Sequence, residues 1–226
     1  MIADADISEP ASLIGDPTRA SFLMALSEER ALPAGELARR AGVTPSTASI
    51  QLAKLVEGDL LTVERHGRHR YYSLADPAIA TAIESLAVIA PRRAASSLKA
   101  ARIGSDLQAA RTCYDHLAGA LGVALFDALL ARRLLTSELE PTRKGERLLA
   151  ELGVDVDGAA AGRRAFARRC LDWTERRHHL AGALGAAVAT RFFELGWIER
   201  LPASRAVRVT EAGRTALARE LAIRLE

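Results

Sequence analysis

Two cysteines and two histidines in the second half of the chain carry the clearest capacity for chemistry: Cys113, His116, Cys170 and His179. Thiolate and imidazole groups are ligands that Zn²⁺ and other thiophilic ions prefer, and four of them complete a tetrahedral site. If the segments that carry them pack about a pseudo-twofold axis, the four side chains converge as a Cys₂His₂ set. The spacing matches no zinc-finger signature, so the competing interpretation is that the two cysteines are small core residues and the two histidines are capping or packing groups.

The same two cysteines are compatible with redox sensing through a reversible disulfide. Such a bond requires the Cα atoms of Cys113 and Cys170 to lie within about 7 Å of each other. Nearby cations would lower the thiol pKa and so favour the reactive thiolate; the candidates are Arg111, Arg168 and Arg169. This thiol-redox interpretation therefore stands beside the metal site.

A third interpretation is an organic effector bound in an aromatic pocket. The residues that would line it are Tyr114, Trp173 and Trp197. Such a site needs apolar walls with a few polar groups. Trp197 lies in an apolar Leu-Gly-Trp-Ile run, for which core packing is the simpler explanation.

An internal repeat relates the two segments that carry these residues. Residues 116–122 have the sequence HLAGALG, which recurs identically at residues 179–185, and a Thr-x-x-Gly motif follows each copy. Each copy predicts an apolar helix, a short hairpin and a terminal helix. Because a repeat unit needs its neighbour to bury a core, we expect two winged-helix-like units, over residues 105–153 and 163–226.

The segment ahead of the first copy predicts a helix and a linker. Ser105-x-x-Gln108 is a capping box, which predicts a long helix through residues 111–116 with its cysteine and histidine on one face. Residues 92–104 are basic and rich in small side chains, and are the expected connector. Residues 105–226 would then form a sensing or dimerisation domain.

Helix-punctuating residues divide residues 1–91 into an order of helix, helix, turn, helix, hairpin and helix. Asp-Pro at residues 16–17 and Thr-Pro at residues 44–45 each place a capping residue before a proline. Residues 60–65 and 70–74 are β-prone and flank a basic tip. This order predicts a winged helix-turn-helix DNA-binding domain, in a chain that is mainly α with small β-hairpins.

The third helix of that domain has the polar N-terminal end and the apolar back that a recognition helix needs. Its polar side chains suit bases or phosphates of duplex DNA, and the hairpin arginines suit the backbone or the minor groove. We therefore expect DNA contacts from Thr44, Pro45, Ser46, Thr47, Ser49, Gln51, Lys54, Arg65, Arg68 and Arg70. A winged-helix protein-interaction module without direct DNA readout is the alternative use of the same fold.

The ordered motifs of residues 10–90 resemble those of the ArsR/SmtB family of bacterial repressors. They are Gly15-Asp-Pro-Thr-Arg19, Glu36-Leu-Ala, Val43-Thr-Pro-Ser-Thr-Ala48 with Leu52-x-x-Leu55, Gly58-Asp-Leu-Leu61 and Arg65-x-Gly-Arg68-x-Arg-Tyr-Tyr-Ser-Leu74. The resemblance implies a homodimer, formed through the first helix and the helix after the wing, that binds a palindromic operator. It also implies repression released by an inducer, often a metal ion or a redox change.

Two sensing sites that are familiar in that family are missing from this sequence. Residues 32–37 hold no cysteine, where metal-sensing members often place Cys-x-Cys, and residues 76–90 hold no histidine ligand. The motif Arg111-Thr-Cys-Tyr-Asp-His-Leu-Ala-Gly119 is similar to one in extended members with a second domain. We therefore expect effector sensing, by a metal ion or a small molecule, in the C-terminal half.

Composition excludes several other classes of protein. The chain has 226 residues, of which 49% are apolar and 26% charged, as in globular proteins. Its longest apolar stretch, residues 117–126, is too short for a bilayer span of roughly twenty residues. The N-terminus lacks the pattern of a secretory signal, so we expect a cytoplasmic protein. Because phosphate-binding glycine loops and dinucleotide fingerprints are also missing, we predict that it is not an enzyme.

Overall fold

The computed structural model describes residues 5–28, 31–67, 69–91, 97–162, 164–202 and 204–225. It divides the chain into two units, Met1–Leu86 and Ala87–Glu226. None of the helices described in either unit combines the length and the hydrophobicity that a membrane span needs.

The first unit is a winged helix-turn-helix. Its elements, in chain order, are α1 (Ser8–Ile14), α2 (Pro17–Glu28), β1 (Leu32–Pro33), α3 (Ala34–Ala41), α4 (Pro45–Glu57), β2 (Leu61–His66), β3 (His69–Leu74) and α5 (Pro77–Ile89), the last of which extends past the boundary between the units. The three strands form an antiparallel sheet in the order β1-β3-β2. The β2–β3 pairing runs from Leu61 opposite Leu74 to His66 opposite His69, and this hairpin is the wing.

Local capping explains where the helices of this unit begin and end. The Asp16 carboxylate accepts the backbone N–H groups of Thr18 and Arg19, and the Thr44 hydroxyl accepts that of Thr47. Gly42 ends α3 in the left-handed conformation, with φ of 66°. The core beneath the helices is apolar and includes Phe22, Leu26, Leu37, Leu52, Leu55 and Tyr72. The short helix α1 precedes the predicted elements and was not expected.

The second unit alternates short hairpins with helices. Its elements are α6 (Leu98–Ala109), β4 (Arg111–Cys113), β5 (His116–Ala118), α7 (Gly119–Ala131), α8 (Arg143–Leu152), α9 (Val156–Ala161), β6 (Arg168–Leu171), β7 (His178–Ala181), α10 (Gly182–Glu194), β8 (Ile198–Arg200), β9 (Val207–Val209) and α11 (Glu211–Leu221). All of its hairpins are antiparallel. The fold class, mainly α with small β-hairpins and a winged helix-turn-helix in the first unit, is confirmed.

The internal repeat is also a structural repeat. In each copy the His-Leu-Ala segment is a strand and the following Gly-Ala-Leu-Gly begins a helix, α7 or α10. Thr142 and Thr210 cap the terminal helices α8 and α11, accepting the N–H groups of Gly145 and Gly213. Between its two helices, α10 and α11, the second copy has the β8–β9 hairpin. Between α7 and α8 the first copy has a single bridge, Leu135 opposite Pro141.

The predicted long helix through residues 111–116 is wrong. Helix α6 ends at Ala109, and the next residues form the β4–β5 hairpin, which turns at Tyr114 with φ of 59°. Tertiary pairing outweighs the local signal here, because the N–H of Thr112 donates to the carbonyl of Arg205, 2.9 Å away. The expected connector also differs, since residues 98–104 are helical. Residues 92–96 of it lie outside the described residues.

The two copies pack against each other reciprocally. Helix α7 of the first copy lies on β7 of the second, and α10 of the second lies on β5 of the first. Gly122 faces the Cβ atom of His179, and Gly185 faces that of His116. This exchange is the geometry expected of a pseudo-twofold axis, and it brings the two cysteine- and histidine-bearing hairpins together.

Candidate functional site

Helix α4 has one exposed polar edge and one buried apolar face. Ala48, Leu52 and Leu55 are almost completely buried in the core of the first unit. The predicted contact residues at its N-terminal end, together with Lys54, are exposed except for the half-buried Thr47; they are Thr44, Pro45, Ser46, Thr47 and Ser49. The apolar back therefore seats the helix and leaves the hydroxyl-bearing end accessible, as a recognition helix requires.

Hydrogen bonds hold the hydroxyl groups at the start of α4 close together. The Thr44 Oγ1 atom lies 2.9 Å from both Ser46 Oγ and Thr47 Oγ1. A cluster of hydroxyls can donate to or accept from either phosphates or base edges. This end of the helix is therefore chemically suited to duplex DNA.

Gln51 has a structural partner that sequence reasoning missed. It is half-buried, and its Oε1 atom accepts a hydrogen bond of 2.8 Å from the Nη1 atom of Arg19. The Arg19 guanidinium also donates to the carbonyls of Ser12 and Leu13, so it ties α1, α2 and α4 together. Bidentate recognition of adenine uses both the carbonyl oxygen and the NH₂ group of the Gln51 amide, and the hydrogen bond from Arg19 engages that oxygen. The expected base-reading role of Gln51 stays a prediction, and the structure adds a role in holding Arg19.

The described residues of the wing are exposed toward its tip, whereas the end of β3 from Tyr71 to Leu74 is buried or partly buried. Arg65 and Arg70 are directly opposite each other on β2 and β3, and both are exposed. Arg68 lies outside the described residues. A paired basic hairpin beside a polar helix end provides positive charge where a DNA backbone would pass.

The four predicted metal ligands meet in the second unit. The potential ligand atoms of Cys113, His116, Cys170 and His179 all lie within 4.8 Å of one another, and all four residues are buried. The two Sγ atoms are 3.9 Å apart, and the two imidazole rings are stacked with centroids 5.1 Å apart. Each hairpin supplies one cysteine and one histidine as a directly opposed pair across its strands. Cross-strand pairing, rather than the expected helical spacing, is what brings each pair together.

A carboxylate faces the Nδ1 atom of each histidine. The Oδ1 atom of Asp115 lies 3.3 Å from Nδ1 of His116, and the Oδ2 atom of Asp172 lies 3.5 Å from Nδ1 of His179. At His116 this contact is a hydrogen bond and favours the tautomer in which Nε2 carries a free lone pair. The Nδ1 atom of His179 makes no hydrogen bond among the described residues. In both rings Nε2 is buried and has no hydrogen-bond partner among the described residues.

Each of these carboxylates is itself held by an arginine. Arg164 donates to Asp115. Arg111, which is fully buried, donates from Nη2 to Oδ2 of Asp172 over 2.9 Å. The N–H of Gly119 and the hydroxyl of Thr174 also donate to Asp172. Both acids are close to ligand residues in sequence, which is the one signal that could have identified them.

The pKa shifts in the cluster follow from these contacts. Burial favours the neutral form of Asp115, but His116 and Arg164 outweigh it and lower the pKa of this carboxyl to about 2. The thiol of Cys113 and the two imidazoles hold the pKa of Cys170 well below its usual range, against the effect of burial. Burial opposes protonation of His116, but Asp115 and Cys170 raise its pKa. The site therefore favours a thiolate at Cys170.

The aromatic residues expected to line an organic pocket have separate neighbours. Trp197 is buried in the core, with its ring 4.9 Å from that of Phe192. Trp173 lies beneath the Arg111 guanidinium at 4.7 Å. Core packing therefore accounts for Trp197, and Trp173 covers the buried ion pair of Arg111.

Comparison with known proteins identifies the family. A protein-family model described as a helix-turn-helix domain matches residues 14–64 of the sequence. The uncharacterized HTH-type transcriptional regulator YdfF of Bacillus subtilis (strain 168) is 46% identical over 223 residues, which cover 97% of this chain and 99% of the relative. The chain belongs to the HTH-type transcriptional regulators. This confirms the prediction of a DNA-binding transcription regulator, and the match extends over both units.

Solved structures resemble part of the chain. NolR from Sinorhizobium fredii is 24% identical, with a TM-score of 0.35, over 39% of this chain and 96% of NolR. A homodimeric winged helix-turn-helix DNA-binding domain from Mycobacterium bovis, described as a possible ArsR-family regulator, is 22% identical, with a TM-score of 0.34, over 39% of this chain and 89% of that domain. The family assignment rests on the full-length relative.

Proposed function

We propose that this transcriptional regulator is a homodimeric repressor that binds a palindromic operator and responds to an effector in its C-terminal half. The single observation that carries the DNA-binding part is the exposed hydroxyl-bearing end of α4 above a fully buried apolar back. The exposed arginines of the wing add the charge that phosphate binding needs. Two such helices related by a twofold axis would contact successive major grooves of one duplex.

Unpartnered apolar side chains on α5 support the homodimer. Leu86 and Ile89 are 44% and 79% exposed, and this helix follows the wing, where the ArsR/SmtB resemblance implies a dimer contact. Exposed leucine and isoleucine on one helix favour association with a second apolar surface. A second copy of the same helix is the partner that the proposal assigns to them.

Binding to labelled DNA from upstream of the protein's own gene tests this proposal. Fluorescence anisotropy over a series of salt concentrations should show an affinity that falls steeply as salt rises. Because the dimer carries both wings, Arg65→Ala/Arg70→Ala removes four positive charges and should weaken binding and lower the log–log salt slope by about 4. Ser46→Ala and Ser49→Ala should weaken binding to the operator with little change in that slope.

Matched substitutions on the second unit serve as the control. Arg143 and Arg147 are exposed on α8, so Arg143→Ala/Arg147→Ala removes the same charge from a helix outside the winged helix-turn-helix and should leave affinity unchanged. Binding that is insensitive to salt and to the wing variants would contradict the proposal and favour the protein-interaction alternative.

A thiol-redox response is the second candidate for the sensing step. The Sγ–Sγ distance of 3.9 Å supports it, because two thiols this close need little movement to form a disulfide. A disulfide, however, would leave the buried Nε2 atoms of His116 and His179 without an interaction partner. Those two atoms favour a ligand that all four residues share.

A further inference from the structure

We propose that Cys113, His116, Cys170 and His179 bind one Zn²⁺-like ion tetrahedrally, through their Sγ and Nε2 atoms. This inference deepens the proposed function, because it names a thiophilic divalent ion as the effector of the C-terminal half. Only this effector role rests on the proposed function. The site lies between two hairpins that the internal repeat places face to face, and each repeat supplies half of the ligands.

The positions of the sulfur atoms fit such an ion. Zinc–sulfur bonds of about 2.3 Å at a tetrahedral angle place two sulfurs about 3.8 Å apart. The Sγ atoms of Cys113 and Cys170 are 3.9 Å apart. One ligand atom of each of the four residues, a sulfur or an imidazole nitrogen, lies within 4.8 Å of the others, so side-chain rotations can close the tetrahedron around the ion.

The two Nε2 atoms are the independent sign of a ligand. Buried imidazole nitrogens normally find a hydrogen-bond partner. Here the Nε2 atoms of His116 and His179 have none among the described residues, and both rings are about 98% buried or more. The Nδ1 atom of His116 is hydrogen-bonded to Asp115, the arrangement in which a carboxylate orients a metal-binding histidine. The Nδ1 atom of His179 lies 3.5 Å from Asp172 without a hydrogen bond to it.

The charges around the site also balance when an ion is bound. Two thiolates neutralise one divalent cation, while the two histidines bind as neutral ligands. The nearby carboxylates of Asp115 and Asp172 are already paired with Arg164 and Arg111. Binding therefore buries no uncompensated charge. The thiol protons that are released pass to the solvent, and no oxidant or reductant is required.

A bound ion would fasten the two repeats to each other. Cys113 and His116 lie on the β4–β5 hairpin, and Cys170 and His179 lie on β6–β7. An ion held from both sides binds only the state in which the hairpins are docked, so loading should stabilise the second unit. The difference between docked and undocked repeats is the conformational change that an effector site requires.

Cobalt titration of the reduced full-length protein tests the site directly, because Co²⁺ substitutes for Zn²⁺ and reports its coordination by visible absorption. We expect one equivalent to bind, with the intense d–d bands of tetrahedral geometry and a thiolate-to-cobalt charge-transfer band. One equivalent of Zn²⁺ should remove these bands by displacement. Loading with Zn²⁺ should also raise the midpoint of thermal unfolding.

Four variants and one control assign the ligands. Cys113→Ser, Cys170→Ser, His116→Gln and His179→Gln should each remove the tetrahedral spectrum. His178→Gln changes an exposed histidine beside His179 and should retain it. Asp115→Asn keeps every ligand and should weaken cobalt binding by about 10–100-fold. Circular dichroism of each variant establishes that it is folded, and Asp115→Asn tests the site even if a ligand variant fails to fold.

The opposite results would overturn the proposal. Octahedral cobalt spectra, or a tetrahedral spectrum that persists in folded Cys170→Ser, would show that the four residues are not the site. Formation of a Cys113–Cys170 disulfide that is unaffected by prior Zn²⁺ loading would favour the redox alternative.

DNA binding separates this inference from the proposed function. Operator affinity that differs at least severalfold between zinc-loaded and metal-free protein supports the ion as the effector. Equal affinities of the two forms, with the tetrahedral spectrum present, would overturn its effector role while leaving the DNA-binding function in place. Binding of cobalt by a protein that recognises no DNA would contradict the proposed function while confirming the site.

Discussion

Arg111 and Asp172 form a buried ion pair beneath the cysteine–histidine cluster. The side chains of both residues are fully buried, and they are joined by a 2.9 Å contact. Removing one partner of such a pair leaves the other charge uncompensated, which usually costs more than the pair itself contributes. Arg111 also lies 4.7 Å from the Trp173 ring and donates to the carbonyl of Leu107. It therefore fixes several neighbours of the site at once.

We predict that Arg111→Met lowers the free energy of unfolding by about 3–5 kcal/mol. Methionine retains much of the length of the arginine but leaves the Asp172 carboxylate without its cation. Urea denaturation followed by circular dichroism measures the loss. Arg143→Met, at an exposed position on α8, should change stability by less than about 0.5 kcal/mol. Equal effects of the two substitutions would refute a structural role for the ion pair.

Gln51 is expected to affect stability more than sequence preference. Gln51→Ala removes an acceptor from the nearly buried Arg19, and hydrogen bonds to charged groups contribute about 1.5–3 kcal/mol. Unfolding of the variant should show a loss of this size. Ser49→Ala on the same helix should leave unfolding unchanged while it weakens operator binding. A Gln51→Ala protein of normal stability with altered base preference would favour the base-reading role predicted from the sequence.

At the residue level the four members of the buried cluster could be singled out from the sequence, whereas the residues that hold them in place could not. Cysteine and histidine suggest metal binding by residue type alone, so Cys113, His116, Cys170 and His179 were accessible from the sequence. Asp172 acquires its role through partners such as Arg111, which lies sixty-one positions away. Gln51 likewise depends on a distant partner, Arg19. Such contacts are determined by tertiary packing, which patterns in a single sequence do not reveal.

At the level of secondary structure, two glycines allow the helices α7 and α10 to pack closely on the strands that precede them. A Cβ atom at Gly122 would lie 2.5 Å from the carbonyl oxygen of Leu117 and 3.5 Å from the Cβ atom of His179. The equivalent Gly185 would place one 2.7 Å from the carbonyl oxygen of Leu180. Both obstacles are backbone atoms, which cannot move aside as a flexible side chain can.

We predict that Gly122→Ala destabilises the protein by about 1–3 kcal/mol through overpacking. Gly104→Ala is the matched control, because Gly104 is exposed within α6 and its Cβ atom would meet nothing within 4 Å. That substitution should stabilise the protein by about 0.4–1 kcal/mol by restricting the unfolded chain. Thermal unfolding of the two variants should shift in opposite directions, and a shift in the same direction would contradict the packing described.

The helices that begin at Thr44, Thr142 and Thr210 were predicted well. The capping box at Ser105, in contrast, lies inside α6, and the short strands β4 to β7 of the second unit were not predicted. Caps such as Thr44, Thr142 and Thr210 are local, so the sequence itself specifies where these helices begin. Each strand of the β4–β5 hairpin has three residues, and β4 also pairs with residues 205–206. Strands this short are determined by distant partners, which explains why a helix was predicted in their place.

At the level of the whole molecule, the exposed end of α5 predicts a dimer. Sedimentation velocity should show a homodimer for the wild-type protein. Ile89→Glu places a charge on a side chain that is 79% exposed in one chain, so it should weaken the dimer by tenfold or more without unfolding the protein. Ala131→Glu, at an exposed position on α7, should leave association unchanged. A wild-type monomer would remove the basis for a palindromic operator.

The central claim is that α4 and the wing contact duplex DNA as a symmetric pair. Hydroxyl-radical footprinting of the full-length protein on the DNA upstream of its own gene tests it most directly. We predict two protected segments related by an inverted repeat, with centres about 10 base pairs or a multiple of that apart, and their loss in Ser46→Ala/Ser49→Ala. Uniform protection without symmetry, unchanged in that variant, would contradict the account.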